Sequence, residues 1–189
     1  LPSPNIGIRC ADIVRQAESA GFEVGIHAWN RVRWEESIQQ AENPWVEGEI
    51  ANACIRFEEL FGGIRRVHAA AGWRMNRHAL RLTQRLGFSY ASDCRGSHPF
   101  IPVIDGEIIA CPQIPTTLPT LDELLVLEPK YSVEQAVDRI AQLSRAISGD
   151  HVFTLRAELE GMKFIEAFER LLATWKSNNQ LLVPLRDIR

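Results

Sequence analysis

A set of polar and aromatic side chains follows segments of the sequence that have the pattern of β-strands. Imidazole and carboxylate groups can bind a metal ion or transfer a proton, whereas guanidinium groups bind anions. Functional residues of parallel α/β folds lie at the carboxyl ends of strands, so we expect these side chains to gather at one rim. Any single one could equally be a solvated loop residue or an ion-pair partner. The set consists of His27, Trp29, Asn30, Arg31, Trp73, Arg74, Asp93, Arg95, Arg156, Glu158 and Glu160.

Familiar catalytic and nucleotide-binding motifs are absent from the sequence. It contains no Gly-x-Gly-x-x-Gly fingerprint, no Walker loop, no His-Glu-x-x-His and no Gly-x-Ser-x-Gly elbow. Three further histidines have ordinary structural explanations. His68 lies within a predicted strand and His78 within a predicted helix, while His151 opens a strand and is expected to be exposed.

Hydrophobic periodicity divides the chain into alternating helices and strands. Glycines mark several helix ends, and Ser132 is the predicted N-cap of a long amphipathic helix. The predicted helices cover residues 6–20, 45–61, 76–86, 132–147 and 164–175, and the predicted strands cover residues 23–29, 64–70, 88–93, 107–114, 151–158 and 181–185.

This alternation predicts an α/β fold with a parallel sheet. The strands are fewer than the roughly eight of a closed (β/α) barrel, and the open doubly wound fold is the competing architecture. Because the first predicted element is a helix without a preceding strand, a truncated barrel is favoured. A chain of 189 residues has the length of one domain. We therefore predict a single domain over residues 1–189 that lacks its first strands.

Composition excludes several classes of protein. With 46% hydrophobic and 24% charged residues, the chain is neither disordered nor fibrous. A net charge of −3 argues against nucleic acid as a partner. No transmembrane segment or secretion signal is evident. The cysteines lack zinc-site spacing and are predicted to be reduced thiols in the cytoplasm; they are Cys10, Cys54, Cys94 and Cys111.

Five strings of the sequence occur in the same order in a known family, and together they span nearly the whole chain. They are EVGIHAW, AAAGWR, SDCRG followed by HPF, PQIPTTLPT and TLRAELEG. With these strings the chain resembles the bacterial formamido-arabinose-phosphoundecaprenol deformylases of the ArnD type, within the polysaccharide deacetylase (NodB-homology) superfamily. The resemblance implies a distorted (β/α) barrel of the NodB-homology type, which would be incomplete here.

The resemblance also implies a reaction. The family hydrolyses an amide, removing a formyl group from an amino sugar on a polyprenyl phosphate during lipid A modification, which confers polymyxin resistance; relatives remove acetyl groups. A divalent metal such as zinc, held by one Asp and two His, polarises the carbonyl and activates water. A second Asp acts as base and a late His as acid. The implied partners are this lipid-linked sugar and, peripherally, the inner membrane surface.

Some of the family's site residues are replaced or missing when its motifs are matched to this sequence. His27 matches one metal ligand, but Arg31 stands at the second and Arg156 at the general acid, and no Asp-x-Asp strand precedes Leu1. The other residues that match the family's site are Asp93 and Glu158 as catalytic groups, and Trp29, Trp73, Arg74 and Arg95 as substrate-binding groups.

The two arginines weaken the implied chemistry. A guanidinium has no lone pair for a metal, would repel the cation and stays protonated near neutral pH. We therefore expect weak or absent metal binding and impaired or no catalysis. Two alternatives stay open. The arginines could form a non-catalytic pocket for an anion or phospho-sugar, or the chain could be a degenerate gene fragment. Exposed sheet edges would also invite oligomerisation.

Overall fold

The computed structural model describes residues 5–63, 67–127 and 130–188. The chain divides into two compact units. Unit 1 comprises Leu1–Arg95 and Pro99–Pro115, and unit 2 comprises Gly96–His98 and Thr116–Arg189. That residues 1–189 form one domain stays a prediction. No helix in the described ranges has the length and apolar character needed to cross a membrane.

The three helices predicted for this part of the chain are present in unit 1, and a further helix over Arg31–Ser37 was not predicted. The predicted helix over residues 6–20 is divided at Cys10, whose backbone leaves the helical region (φ −122°, ψ 23°). The fourth helix ends at Gly62 with φ +68°, as its glycine predicts. The five helices are α1 (Ile6–Arg9), α2 (Ala11–Ser19), α3 (Arg31–Ser37), α4 (Asn43–Phe61) and α5 (Arg77–Arg85).

The sheet of unit 1 is parallel, as predicted, but its strands are short. β1 (Val67–His68) pairs in parallel with β2 (Tyr90–Ala91). Single parallel bridges extend this ladder on both sides, from Ile26 to His68 and from Ala91 to Gln113. The predicted strands over residues 23–29 and 107–114 therefore contribute one rung each. An antiparallel hairpin is formed by β3 (Val103–Ile104) and β4 (Glu107–Ile108).

Two hydrophobic clusters form the core of unit 1. The first surrounds Trp34, which is fully buried where α3 faces α4 and α5. The second lies under the ladder, where Phe57 of α4 packs against Ile26 and Ala91. These contacts hold the helices against the ladder. The residues that follow each paired position lie at the carboxyl end of the ladder.

Unit 2 is mainly helical. Its helices are α6 (Leu121–Val126), α7 (Val133–Ala146) and α8 (Ile165–Ser177). Ser132 caps α7 as predicted: its hydroxyl accepts from the Gln135 N–H, and the Gln135 side chain accepts from the Ser132 N–H. A π-helical turn, Leu159–Lys163, leads to α8. The buried cluster consists of Leu118, Val137, Ile140, Ala141, Leu171 and Trp175.

Two predicted strands are wrong in unit 2. Over residues 151–158 the described chain is irregular. Its backbone hydrogen bonds to the facing segment are formed by Val152, whose carbonyl accepts from the Thr117 and Leu118 N–H groups. The neighbouring segment contains Pro115 and Pro119, which have no N–H to donate, so a regular ladder cannot form there. Residues 181–185 pair with no other described segment and end in a 3-10 turn, Leu185–Asp187.

Candidate functional site

His27 lies at the end of the first parallel rung. The Ile26 N–H donates to the Val67 carbonyl (2.8 Å), and the Ala69 N–H donates to the Ile26 carbonyl (3.0 Å). His27 follows immediately, and its Nδ1 is hydrogen-bonded to the Ala69 carbonyl oxygen. A carbonyl only accepts, so Nδ1 carries the proton and, in the neutral ring, Nε2 carries the lone pair.

The pKa of His27 is lowered from its ordinary value. Although the residue is exposed at the surface, nearby protein atoms displace water from the ring, and this desolvation is the largest cause. The hydrogen bond to Ala69 acts in the opposite direction, and the charges of His68 and Arg31 add to the lowering. His27 is thus a neutral imidazole near pH 7, with one nitrogen able to accept a hydrogen bond.

Arg31 is tied into an ion pair on its own helix. The Asn30 side chain caps α3 by accepting from the Arg33 N–H (3.1 Å), which makes Arg31 the first helical residue. The Arg31 Nε donates to Glu35 Oε1 at 2.8 Å, one turn further on. The same Glu35 offers its backbone carbonyl to Arg74 Nη1 at 2.6 Å. Glu35 therefore binds the guanidinium groups of both Arg31 and Arg74, and the three residues form one corner of the unit.

A strained turn presents Trp73 next to Arg95. Gly72 and Trp73 both have left-handed backbone conformations, with φ +62° and +54°. A β-carbon at Gly72 would lie 3.1 Å from Glu35 Cγ, so the turn and α3 approach closely. The Arg95 guanidinium carbon lies 4.9 Å from the centre of the Trp73 ring, a cation–π arrangement. Trp29, predicted to bind substrate, is 42% exposed.

Asp93 lies inside the protein and not at an open rim. It is 1% exposed, and His68 Nδ1 donates to its Oδ1 at 2.6 Å. Gln113 donates to Asp93 Oδ2 at 3.2 Å and accepts from the Asp93 N–H at 3.0 Å. Both carboxylate oxygens are therefore engaged with neighbours. The position at a strand end was predicted correctly, but the burial was not, because burial depends on what packs over the strand end.

Arg156, Glu158 and Glu160 belong to unit 2. The Arg156 guanidinium lies 3.3 Å from Asp122 Oδ2, at the start of α6. The buried Glu160 accepts the Arg156 backbone N–H at 2.8 Å, which holds the start of the π-helical turn. Glu158 is exposed. Arg156, placed at the family's general acid by sequence, is thus an ion-paired surface cation in its unit, 43% exposed.

The donor groups present do not fit the metal centre that the resemblance implies. Such a centre needs about three protein ligands. In the ranges that the structure describes, no three His, Cys, Asp or Glu side chains are grouped closely enough to hold a metal ion. At His27 the neighbouring charged groups are Arg31 and Glu35, which are already paired with each other. These residues therefore support no catalytic step through a metal.

Several residues of this region were missed by sequence reasoning. Glu35 could have been found from its spacing, since it lies four residues after Arg31 on a helix. Gln113 and His68 gave no local signal of their contact with Asp93, which is 20 and 25 residues away along the chain. Asp122, the partner of Arg156, was likewise not predicted.

The curated proteins that the chain resembles include two deformylases. The chain is 35% identical over 189 residues to the probable 4-deoxy-4-formamido-L-arabinose-phosphoundecaprenol deformylase ArnD of Shewanella sediminis, covering 99% of the chain and 59% of that protein. It is 34% identical over 169 residues to the ArnD of Wigglesworthia glossinidia brevipalpis, covering 89% of the chain and 58% of that protein. The chain thus spans less than two thirds of either relative. No protein-family model matches it.

Solved structures share the fold at low identity. A probable polysaccharide deacetylase from Pseudomonas aeruginosa matches with a TM-score of 0.76 and 18% identity, over 95% of the chain and 62% of that structure. The Puue allantoinase matches with a TM-score of 0.77 and 19% identity, over 95% and 61%. A family 4 acetyl xylan esterase from Clostridium thermocellum, in complex with a cobalt ion, gives 0.59 and 14%, over 95% and 70%.

Proposed function

We propose that the chain is a carbohydrate deformylase with impaired activity. The premise is that it is a relative of the ArnD-type deformylases over nearly its whole length and has structural neighbours among the polysaccharide deacetylases. Its substrate would be an N-formylated, or N-acetylated, amino sugar carried on a polyprenyl phosphate. Its fold would be a single, incomplete (β/α) barrel of the NodB-homology type. Trp29, Trp73, Arg74 and Arg95 would contact the sugar, and Asp93, Arg156 and Glu158 would occupy the catalytic positions.

One observation carries the proposal of impairment. Arg31 occupies the position that the resemblance gives to the second metal-binding histidine, and it is ion-paired to Glu35 beside His27. A fixed positive charge opposes a cation, and a guanidinium cannot replace a lone-pair donor. Of the two histidine ligands that the resemblance implies, His27 alone would then remain, and catalytic zinc sites use about three protein ligands.

Formate release from a formylated lipid-linked amino sugar tests the activity directly. Loss of the general acid alone costs about 10²–10⁴-fold in comparable reactions. We expect the chain to release formate at least about 10²-fold more slowly than an ArnD deformylase assayed alongside. Elemental analysis of the same preparation should find far less than one zinc, cobalt or nickel ion per chain. A stoichiometric metal together with rapid formate release would overturn the proposal of impairment.

Restoring an imidazole tests whether Arg31 is responsible. Arg31→His removes the repulsive charge and adds a donor four residues after His27. We expect the zinc affinity to rise at least about tenfold, measured by competition with a coloured chelator. Arg33→His is the matched control, because it makes the same exchange on an exposed residue of the same helix. Equal gains in both variants would mean that Arg31 does not control metal binding.

A second candidate function is binding of an anion or phospho-sugar without catalysis. The observation that favours it is the charge of the corner around Glu35. Arg31 and Arg74 both contact that residue, and Arg95 lies over Trp73, next to the Gly72 that meets Glu35. Guanidiniums bind phosphate through paired donors, and those of Arg31, Arg74 and Arg95 lie in or next to this corner.

A thermal shift experiment distinguishes this candidate. A phosphorylated sugar should raise the Tm, because a ligand that binds only the folded state stabilises it. Zinc should not raise it. The increase should be lost in Arg74→Ala and kept in Arg139→Ala, which changes an arginine of α7 in unit 2. The same increase with and without Arg74 would reject the candidate.

Localisation follows the proposed substrate. Because the relatives are named for a sugar on phosphoundecaprenol, we place the chain in the cytoplasm with a peripheral contact at the inner membrane. Cosedimentation with vesicles, in the presence and absence of phosphoundecaprenol, measures that contact. A chain that stays in the supernatant under both conditions would contradict it.

A further inference from the structure

The N-cap residue of α3 has no acceptor for its backbone N–H on its own helix. The first N–H groups of any helix lack an intrahelical partner, and in a capping box the side chain three residues on accepts the N–H of the N-cap. In α7 the Gln135 side chain does this for the Ser132 N–H at 2.9 Å. In α3 the N-cap is Asn30 and the equivalent residue is Arg33, whose guanidinium has only donors.

Glu49 of α4 supplies the missing acceptor from another helix. Its Oε2 accepts the Asn30 N–H at 3.1 Å, although the two residues are 19 apart in the chain. Glu49 is only 6% exposed, and it shares the buried face of α4 with Val46 and Ile50. Burying a carboxylate costs stability unless it is hydrogen-bonded. A charged residue in this apolar face therefore indicates a specific contact and not packing alone.

The loop over residues 27–30 is thereby attached at both ends. At its start the His27 Nδ1–H donates to the Ala69 carbonyl, and at its end the Asn30 N–H donates to Glu49. The Asn30 side chain also caps α3, which fixes where Arg31 begins the helix. The place of this loop is thus set by the ladder on one side and by α4 on the other.

We propose that Glu49 is a positioning residue, which holds the loop over residues 27–30 through the Asn30 N–H and so fixes the orientation of the His27 ring. It acts through Asn30 and contacts no substrate. The relevance of this role to a sugar rests on the proposed function, but the orientation of the ring can be measured without a sugar or a metal. The failure of one proposal is therefore distinguishable from the failure of the other.

Nitrogen-15 NMR of the histidine rings at pH 8 tests the proposal, because it distinguishes an Nδ1–H ring from an Nε2–H ring. The His27 signals are those that disappear in His27→Gln, and in the wild type they should report the Nδ1–H form. Glu49→Ala removes the acceptor, so His27 should move towards a mixture of the two forms. Glu49→Gln keeps a side-chain oxygen in place and should give the wild-type signals.

Glu47→Ala is the matched control on the same helix. Glu47 is a half-exposed residue that contacts His78 at 2.9 Å, so its loss should change the His78 signals and leave those of His27 as they are. A Glu49→Ala chain that unfolds at a lower urea concentration but keeps the wild-type His27 signals would overturn the proposal, since Glu49 would then have a structural role only.

Hydrogen exchange of the Asn30 amide tests the contact itself. Glu49→Asp keeps the charge and is the milder variant if Glu49→Ala does not fold. Its side chain is one methylene shorter and should not reach Asn30, so this amide should exchange at least about tenfold faster, relative to the amides of α4, than in the wild type. Equal protection of the Asn30 amide in the wild type and in Glu49→Asp would refute the role of Glu49.

Discussion

A neutral imidazole beside an ion-paired guanidinium defines the chemistry at the end of the first parallel rung. His27 is fixed through Nδ1 by the Ala69 carbonyl, which leaves Nε2 as an acceptor. Arg31 adds a positive charge that Glu35 balances through a 2.8 Å contact. Such a pair can receive a hydroxyl or an anion, and it disfavours a metal cation.

The lowered pKa of His27 predicts a dependence of stability on pH. The pKa in the folded chain lies below the ordinary value of 6.5, so as the pH falls the unfolded chain takes up this proton first. The contribution to stability is present above about pH 6.5 and is lost as the pH falls through the folded pKa. We expect the urea concentration at the unfolding midpoint to fall between pH 8 and pH 5.5, and His27→Gln should make this fall smaller.

His98→Gln is the control for that experiment, because His98 is an exposed histidine of the other unit, hydrogen-bonded only to Ser97 in the described structure. It should keep the wild-type pH dependence. If both variants follow the wild-type curve, the lowered pKa of His27 does not contribute to the stability.

The sequence predicted a catalytic role for Asp93, whereas its contacts in the structure predict an effect on stability. Its carboxylate is buried against His68 and Gln113, and removing one member of a buried pair leaves the other without its partner. Asp93→Ala should therefore lower the free energy of unfolding by about 3 kcal/mol. Asp138→Ala, which removes the exposed partner of Arg170, should change it by less than about 1 kcal/mol. Urea unfolding measures both free energies. Similarly small losses in the two variants would contradict a structural role for the Asp93 carboxylate.

At the scale of elements, the site depends on how closely the turn Ala71–Trp73 approaches α3. Trp34, fully buried on α3, donates through Nε1 to the Arg74 carbonyl at 2.8 Å. Arg74 in turn donates to the Glu35 carbonyl. These reciprocal bonds join the helix and the turn, and they position Trp73 for its contact with Arg95.

Gly72 is the residue that permits this approach. Its φ of +62° opposes a side chain, and so does the distance of only 3.1 Å that would separate an added β-carbon from Glu35 Cγ. Gly72→Ala should lower the free energy of unfolding by more than about 1 kcal/mol. Gly48→Ala is the matched control, because Gly48 lies within α4 with open space around it, and it should raise stability by about 0.5–1 kcal/mol. Thermal unfolding of both variants decides the sign, and equal effects would contradict the close approach.

At the scale of the whole molecule, each compact unit has its own buried cluster. Trp34 lies in a cluster of unit 1, and Leu171 lies in the cluster of unit 2. Separate clusters in the two units are compatible with one cooperative domain or with two. The proposal of a single domain therefore needs a thermodynamic test.

Leu171→Ala provides that test. Loss of a fully buried leucine costs about 2–5 kcal/mol, and Leu171 is 2% exposed. If residues 1–189 form one domain, hydrogen exchange should show the same loss of protection in α4 of unit 1 as in α7 of unit 2. Protection that falls only in unit 2, or two resolved thermal transitions, would show two domains.

Five helical segments could be predicted because their signals are local, whereas the short helices α3 and α6 were not predicted. Ser132 and Gln135 form the capping box of α7 within four residues, and Gly62 ends α4 through its own backbone freedom. The strands were less predictable. Residues 151–158 have the alternation of a strand, but a regular ladder needs a neighbouring segment that donates at every second residue, and Pro115 and Pro119 have no N–H to donate.

The sequence by itself determined the α/β alternation, five helical segments and the resemblance to the ArnD-type deformylases, because these depend on neighbouring residues and on the order of short strings. The resemblance also gave the prediction that Arg31 stands at the position of a metal-binding histidine. Only the tertiary structure decided that Asp93 is buried on His68 and Gln113, and that Glu35 joins Arg31 to Arg74. Those contacts join residues far apart in the chain, and their energy depends on burial and distance, which no local pattern encodes.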